Sequence, residues 1–149
     1  MGRFLAPVVG GVALALVAAG CGGGGGKKGL TKAEYASAID EVCSSTLDKL
    51  TKLGIASTPA SFKVKGDQVV KITEDAIAKF KAVTPPDALK DAVKEFNAAN
   101  EAALSDFKAA TAAAKAGDIK EFGRALSHVQ ADDQKQNAGA AKIGAVDCE

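Results

Sequence analysis

The segment AAAKAGDIKEF, residues 112–122, decides the fold because it holds the end of one helix and the start of another. Its alanine-rich part favours a helix as far as Ala116, and Gly117 is the residue type that most often ends a helix. Asp118, followed three residues later by Glu121, has the pattern of a capping box, which begins a helix. A connection this short predicts that the two helices form an antiparallel hairpin.

Apolar side chains at helical spacing predict two further helices before this hairpin. The first begins at another capping box, Thr31 with Glu34, and ends at Gly54. The second begins near Pro59 and is stopped by Pro85, because the residue before a proline avoids helical backbone angles. The predicted helices span residues 31–53, 59–83, 86–116 and 119–143. We therefore expect an all-α protein, an up-down-up-down four-helix bundle.

Gly66 leaves two interpretations of the second helix open. Glycine inside a helix costs about 1 kcal/mol relative to alanine. Either one kinked helix runs through Gly66, or the regular helix starts only at Asp67.

Large apolar residues predict which face of each helix points to the core. On the fourth helix this face continues into Asp133 and Gln136, which are expected to face inward or to line a groove. A frayed, half-exposed final stretch is the other interpretation of the same pattern. The predicted interior faces include Tyr35, Ile39, Val42, Cys43, Thr46, Leu47 and Leu50 on the first helix, Phe62, Val69, Ala76 and Phe80 on the second, Leu89, Val93, Phe96, Ala103, Phe107 and Ala110 on the third, and Ile119, Phe122, Leu126 and Val129 on the fourth.

The first thirty residues have the form of an export signal followed by a linker. Arg3 precedes an uncharged apolar run over residues 4–20, and LVAAGC (16–21) resembles the bacterial lipobox, although leucine is commoner where Ala18 stands. An uncleaved membrane anchor matches less well, because the run is short and holds a proline. The glycines at 22–26 are typical of a flexible linker. We expect a signal peptide over 1–20, an acylated Cys21 and linker over 21–30, and a helical domain over 31–149.

Charge and composition exclude several functions. Without Arg3 the chain holds 18 basic and 18 acidic residues, with no block of one sign. Nucleic acid as a main partner would need a basic patch and is not expected. His128 is the only histidine, and no Glu-x-x-His motif occurs, so we expect no catalytic residues, no metal and no cofactor. His128 with Asp132, and Asp132 with Asp133, are interpreted as solvated surface pairs.

Cysteine parity predicts one disulfide. Once Cys21 carries lipid, Cys43 and Cys148 remain as an even pair in an oxidising compartment. Cys43 lies about 16 Å along the first helix from Lys32. An extended tail after Gly144 covers a similar distance, so it is expected to fold back along the first helix and reach Cys43.

The chain resembles a group of small exported lipoproteins from high-GC Gram-positive bacteria. The resemblance rests on LTKAEYASAIDEVC (30–43), VTPPDALKDAVKEF (83–96), AAAKAGDIKEF (112–122) and GAVDC (144–148). It implies a helical body with the first-helix cysteine bonded to the terminal one. It implies no particular activity, so no functional residues are carried over.

The sequence therefore predicts a non-enzymatic, lipid-anchored helical module on the outer face of the cell membrane, which binds an envelope protein or a small apolar ligand. Two other functions remain open, an envelope enzyme with a dispersed site and a structural spacer. Converging charged groups in a pocket would favour the enzyme, and a bare apolar groove would favour the binding module. Solid packing throughout would favour the spacer.

Replacement of the predicted lipid attachment residue tests the anchor. Cys21→Ser removes the thiol that acylation requires, so the exported protein should move from the detergent phase to the aqueous phase on detergent partitioning. Retention equal to that of the unsubstituted protein would contradict the lipoprotein prediction.

Overall fold

The computed structural model of the protein describes residues 29–148, and over that range the chain is all-helical. The predicted signal peptide, Cys21 and most of the predicted linker lie outside the described residues. Four long helices follow one another, with short 3-10 turns at Asp87–Leu89 and Val146–Cys148. The helices are α1 (Lys32–Leu53), α2 (Pro59–Ala82), α3 (Lys90–Ala116) and α4 (Ile119–Ile143). None of these helices is long and apolar enough to cross a membrane. The predicted all-α class is confirmed.

The helix ends follow the predicted chemistry closely. The Thr31 N–H donates to the Glu34 carboxylate at 2.8 Å, and the Glu34 N–H donates to Thr31 Oγ1 at 3.3 Å, which completes the first capping box. Bonds from the Thr31 backbone and side chain stabilise the charged carboxylate and lower the pKa of Glu34. Gly54, Gly117 and Gly144 end α1, α3 and α4 with φ of 58°, 76° and 90°. Residues with a Cβ rarely adopt such angles.

The second capping box forms only in part. Asp118 accepts from the Glu121 N–H at 2.9 Å, as the sequence predicts. The Asp118 N–H, however, donates to the carbonyl of Ala113, and the Glu121 carboxylate instead binds Arg124. The left-handed turn at Gly117 therefore satisfies the backbone donor that the box would have used.

Gly66 lies inside one uninterrupted helix, so the interpretation with a start at Asp67 is wrong. A Cβ at Gly66 would lie 2.5 Å from Thr111 Oγ1 on α3, closer than atoms can approach. The glycine therefore marks a close crossing of α2 and α3 rather than a helix break. The third helix also starts later than predicted, because a 3-10 turn at Asp87–Leu89 precedes Lys90.

The buried apolar residues form two separate clusters, one near the chain ends and one near the α3–α4 turn. Edge-to-face aromatic pairs lie in both, Phe80 with Phe96 at 5.1 Å between ring centres and Phe62 with Phe122 at 5.3 Å. The terminal cluster consists of Tyr35, Ala36, Ile39, Ala76, Phe80, Leu89, Val93, Phe96, Ala140, Ile143 and Ala145. The hairpin cluster consists of Phe62, Ala110, Ala113, Ala114, Phe122 and Ala125.

Helix α3 is the centre of the structure, because it packs extensively against both α2 and α4. At its contact with α4, a Cβ on Gly139 would lie 3.1 Å from the Phe96 Cα. Helix α1 is peripheral, and its buried residues are all in its first half, namely Tyr35, Ala36 and Ile39.

Two predicted core positions are wrong. Leu47 is 62% exposed, because the second half of α1 stands away from the other helices. Ile119 is 63% exposed, because it is the first residue of α4 and lies directly after the α3–α4 turn. Phe107 is only partly buried against the hairpin cluster. The structure instead buries small residues of α3 and α4, such as Ala113 and Ala125.

Two glycines of α4 offer a matched test of the close α3–α4 contact. Gly139→Ala should lower the free energy of unfolding by roughly 1–3 kcal/mol, because the new methyl group meets the Phe96 backbone. Gly123→Ala should raise it by up to about 1 kcal/mol, because that position has nothing within 4 Å and alanine favours the helix. Urea denaturation measures the free energy of unfolding of both variants. Equal stabilisation by the two changes would show that α3 and α4 lie further apart at Gly139 than in this structure.

Candidate functional site

A groove runs between α1 and α4, which make little contact with each other, and α2 and α3 form its floor. Its volume is about 360 Å³. Pockets that bind small molecules have volumes of roughly 300–1,000 Å³. The groove therefore has the size of a small-ligand site.

One end of the groove is apolar. Leu47 and Leu50 on α1 face Val129 on α4, with Phe107 of α3 at the same end. Phe107 also packs on the hairpin cluster, which places this end towards the α3–α4 turn. A ligand that covers an exposed leucine beside other apolar side chains binds favourably, because apolar surface is removed from water.

A polar layer crosses the groove between the two apolar clusters. Neutral polar residues from all four helices line it, namely Thr46, Thr73 and Asn100 from the first three helices and Gln136 and Asn137 from α4. The threonine hydroxyls donate to carbonyls of their own helices, Val42 at 2.7 Å and Val69 at 2.9 Å. Asn100 is buried, with 8% of its surface exposed, and its Nδ2 donates to the Phe96 carbonyl at 2.8 Å. Interior positions of a bundle are normally apolar, so this layer is exceptional.

The other end of the groove is acidic and adjoins the paired cysteines. Asp133 and Asp147 are the charged residues of the lining. Asp147 is fixed to α1, because its Oδ2 accepts from the Ser44 hydroxyl at 2.7 Å and its N–H donates to Asp40 at 2.8 Å. Asp133 is solvent-exposed on α4.

The sulfur atoms of Cys43 and Cys148 lie at disulfide-bonding distance, with their Cα atoms 5.2 Å apart. The tail folds back on α1 as expected, through a 3-10 turn at Val146–Cys148. At the C-terminal end of α1, Lys65 Nζ donates to the carbonyls of Leu53 at 2.8 Å and Gly54 at 2.9 Å. Helix α1 is therefore held at its midpoint and at its C-terminal end, and the segment between these two points forms one wall of the groove.

Asp133 and Gln136 both belong to the α4 wall of the groove, Asp133 as an exposed and Gln136 as a half-buried side chain. Helix α4 is continuous through both positions, so the final stretch is not frayed. Sequence reasoning missed Thr73, Asn100 and the exposed, groove-lining position of Leu47. The available signal was a polar residue within the apolar spacing of α2 and α3, the same signal that pointed to Asp133.

Asp132 is not the solvated group that the sequence predicted. It is 5% exposed and lies at the α3–α4 contact, where Lys135 Nζ binds its Oδ1 at 2.6 Å. The close approach of α4 to α3 turns this position inward. His128 lies beside Asp106, with 3.6 Å between Nδ1 and Oδ1, rather than beside Asp132. Within residues 29–148 no group of three or more His, Cys, Asp or Glu side chains is placed to hold a metal ion.

Neither the models of known protein families, the curated proteins nor the solved structures gave a match to this chain. Its function is therefore inferred from the groove and the sequence alone.

The cysteine pair should be a major source of stability. Cys43 and Cys148 are 105 residues apart in sequence. Closing a loop of this length contributes roughly 4–5 kcal/mol in the chain-entropy model. The variant Cys43→Ala/Cys148→Ala should lose about that much free energy of unfolding on urea denaturation, with fully reduced parent protein as the control. An unchanged denaturation midpoint would show that the bond does not form.

Proposed function

We propose that this protein is an exported lipoprotein, cut before Cys21 and acylated there, that holds a small apolar ligand in the groove between α1 and α4. The apolar run at 4–20 and the lipobox-like LVAAGC support export and lipid attachment. The resemblance to small exported lipoproteins of high-GC Gram-positive bacteria supports the same location. The body then stands on the outer face of the cell membrane, joined to it by the glycine-rich linker.

We also infer that the body is an up-down-up-down four-helix bundle behind its signal peptide and linker. Three contacts support this arrangement: the end of α1 meets the start of α2 through Leu53 and Lys65, Gly66 meets Thr111 on α3, and Phe96 meets Gly139 on α4. In the last two, a position near one end of a helix meets a position near the opposite end of the next, so these helices run in opposite directions.

The observation that carries the binding function is the unfilled, partly apolar groove at the middle of the helical body. A structural spacer would gain stability by filling this space, and Leu47 would then be buried rather than 62% exposed. An enzyme would need several chemically active groups that converge on the groove. Its charged lining consists of Asp133 and Asp147, which do not amount to acid–base or nucleophilic machinery. The narrow groove also suits a small molecule better than the broad surface of a protein partner.

A matched pair of leucine and valine replacements tests this proposal. Leu47→Asn removes apolar surface from the groove wall, whereas Val64→Asn makes a similar change at an exposed position of α2 outside the lining. Both residues are exposed, so neither change should disturb folding. Octanol, a small apolar probe, is titrated calorimetrically into the lipidated protein in nanodiscs, with protein-free nanodiscs as the blank.

The parent protein should bind octanol with one site, and Leu47→Asn should weaken binding by about five- to tenfold through lost apolar burial. Val64→Asn should bind as the parent does. Absence of octanol binding, or equal losses in both variants, would overturn the proposed ligand site. Native mass spectrometry of protein purified from membranes then identifies the natural ligand by its mass.

A further inference from the structure

We propose that the groove selects an amphipathic cation, a molecule with an apolar chain and an ammonium-type group at one end. This rests on the proposed function and specifies the chemical class of its ligand.

The first support is the charge of the lining. Asp133 and Asp147 lie in the groove, and the lining contains no lysine, arginine or histidine. Neither carboxylate forms an ion pair with another residue between 29 and 148. Elsewhere carboxylates commonly have lysine partners, as Asp67 has Lys115 and Glu95 has Lys142. The groove therefore offers two unneutralised negative charges to a cation, and nearby apolar side chains strengthen the attraction.

The second support is the direction of the hydrogen bonds in the polar layer. The hydroxyl hydrogens of Thr46 and Thr73 are already donated to the carbonyls of Val42 and Val69. Each hydroxyl oxygen then has only lone pairs left to offer. A ligand N–H group can donate to these oxygens, whereas a carboxylate or phosphate oxygen cannot. The two threonine hydroxyls therefore favour the same ligand as the charges of the groove, while the amide groups of Gln136 and Asn137 can donate as well as accept.

The third support is the order of residues along the groove. Leu50, Phe107 and Val129 lie towards the hairpin cluster, and Asp147 lies at the end beside the cysteine pair. Asp133 is four residues along α4 from Val129 in the direction of that end. The negative charge of the groove is thus concentrated towards one end, which Ala76 and Phe80 of the terminal cluster also line. This polarity fixes the orientation of an amphipathic cation, with its chain at Phe107 and its charge near Asp133.

Three probes with one chain length and different end groups test the proposal. Octylammonium, octanol and octanoate are titrated calorimetrically into the lipidated full-length protein in nanodiscs, each against protein-free nanodiscs. Octylammonium should bind about three- to tenfold more tightly than octanol, and octanoate more weakly than either. The preference for octylammonium should shrink as the salt concentration rises, because salt screens the exposed charges.

Two asparagine variants test whether the preference for octylammonium comes from a carboxylate in the groove. Asp133→Asn removes one groove charge and should lower octylammonium affinity about two- to fivefold while leaving octanol affinity unchanged. Asp48→Asn makes the same change in net charge on α1 at an exposed residue outside the lining, and should leave both affinities unchanged.

Octanol binding without any preference for octylammonium would overturn the cation proposal and leave the apolar ligand site intact. Equal effects of Asp133→Asn and Asp48→Asn would also overturn it, because the preference would then reflect net charge alone. No binding of any of the three probes would overturn the ligand site itself.

Discussion

The close packing of α3 against α2 and α4 is the constraint on which the rest of the structure depends. At the crossing of α2 and α3 there is no room for a Cβ on Gly66 beside Thr111, and at the crossing of α3 and α4 a Cβ on Gly139 would be in tight contact with Phe96. Alanines fill much of the remaining contact, which brings the helix axes near one another and gains dispersion energy. Helices α2, α3 and α4 are therefore tightly packed, and they leave little apolar surface for α1 to cover. Helix α1 therefore buries only its first half, and the groove is the space that its second half does not fill.

The sequence was sufficient to predict where the helices begin and end, but not which face of each helix is buried. Capping residues and glycines act through the local backbone, so Thr31, Gly54 and Gly117 mark helix ends correctly without knowledge of neighbours. The buried face of α4 depends on how closely α3 approaches it. Periodicity of large residues therefore placed Ile119 in the core and Asp132 in solvent, and both assignments are wrong. Small residues carry this contact, and alanine or glycine looks the same in a sequence whether it is buried or exposed.

The candidate site was partly predictable for the same reason. Asp133 and Gln136 were noticed because they interrupt an apolar stripe, which is a local signal. Asn100 and Thr73 interrupt their own helices in a similar way, but only the assembled fold shows that they lie at one level with Thr46 and Gln136. A polar layer in a helical body costs stability relative to apolar packing. The cysteine pair lies beside this polar layer and brings the segment after α4 against α1.

The position of that covalent link also determines how the molecule responds to mechanical force. Tension applied between the two chain ends would pass through a Cys43–Cys148 bond, so residues 44–147 between the two cysteines would carry none of the load. Only the first turns of α1, before Cys43, lie in the path of the force. Those turns hold Tyr35 and Ile39, the most deeply buried side chains of α1. A pull on the N-terminal side of α1 therefore works against the terminal cluster, while the groove keeps its shape.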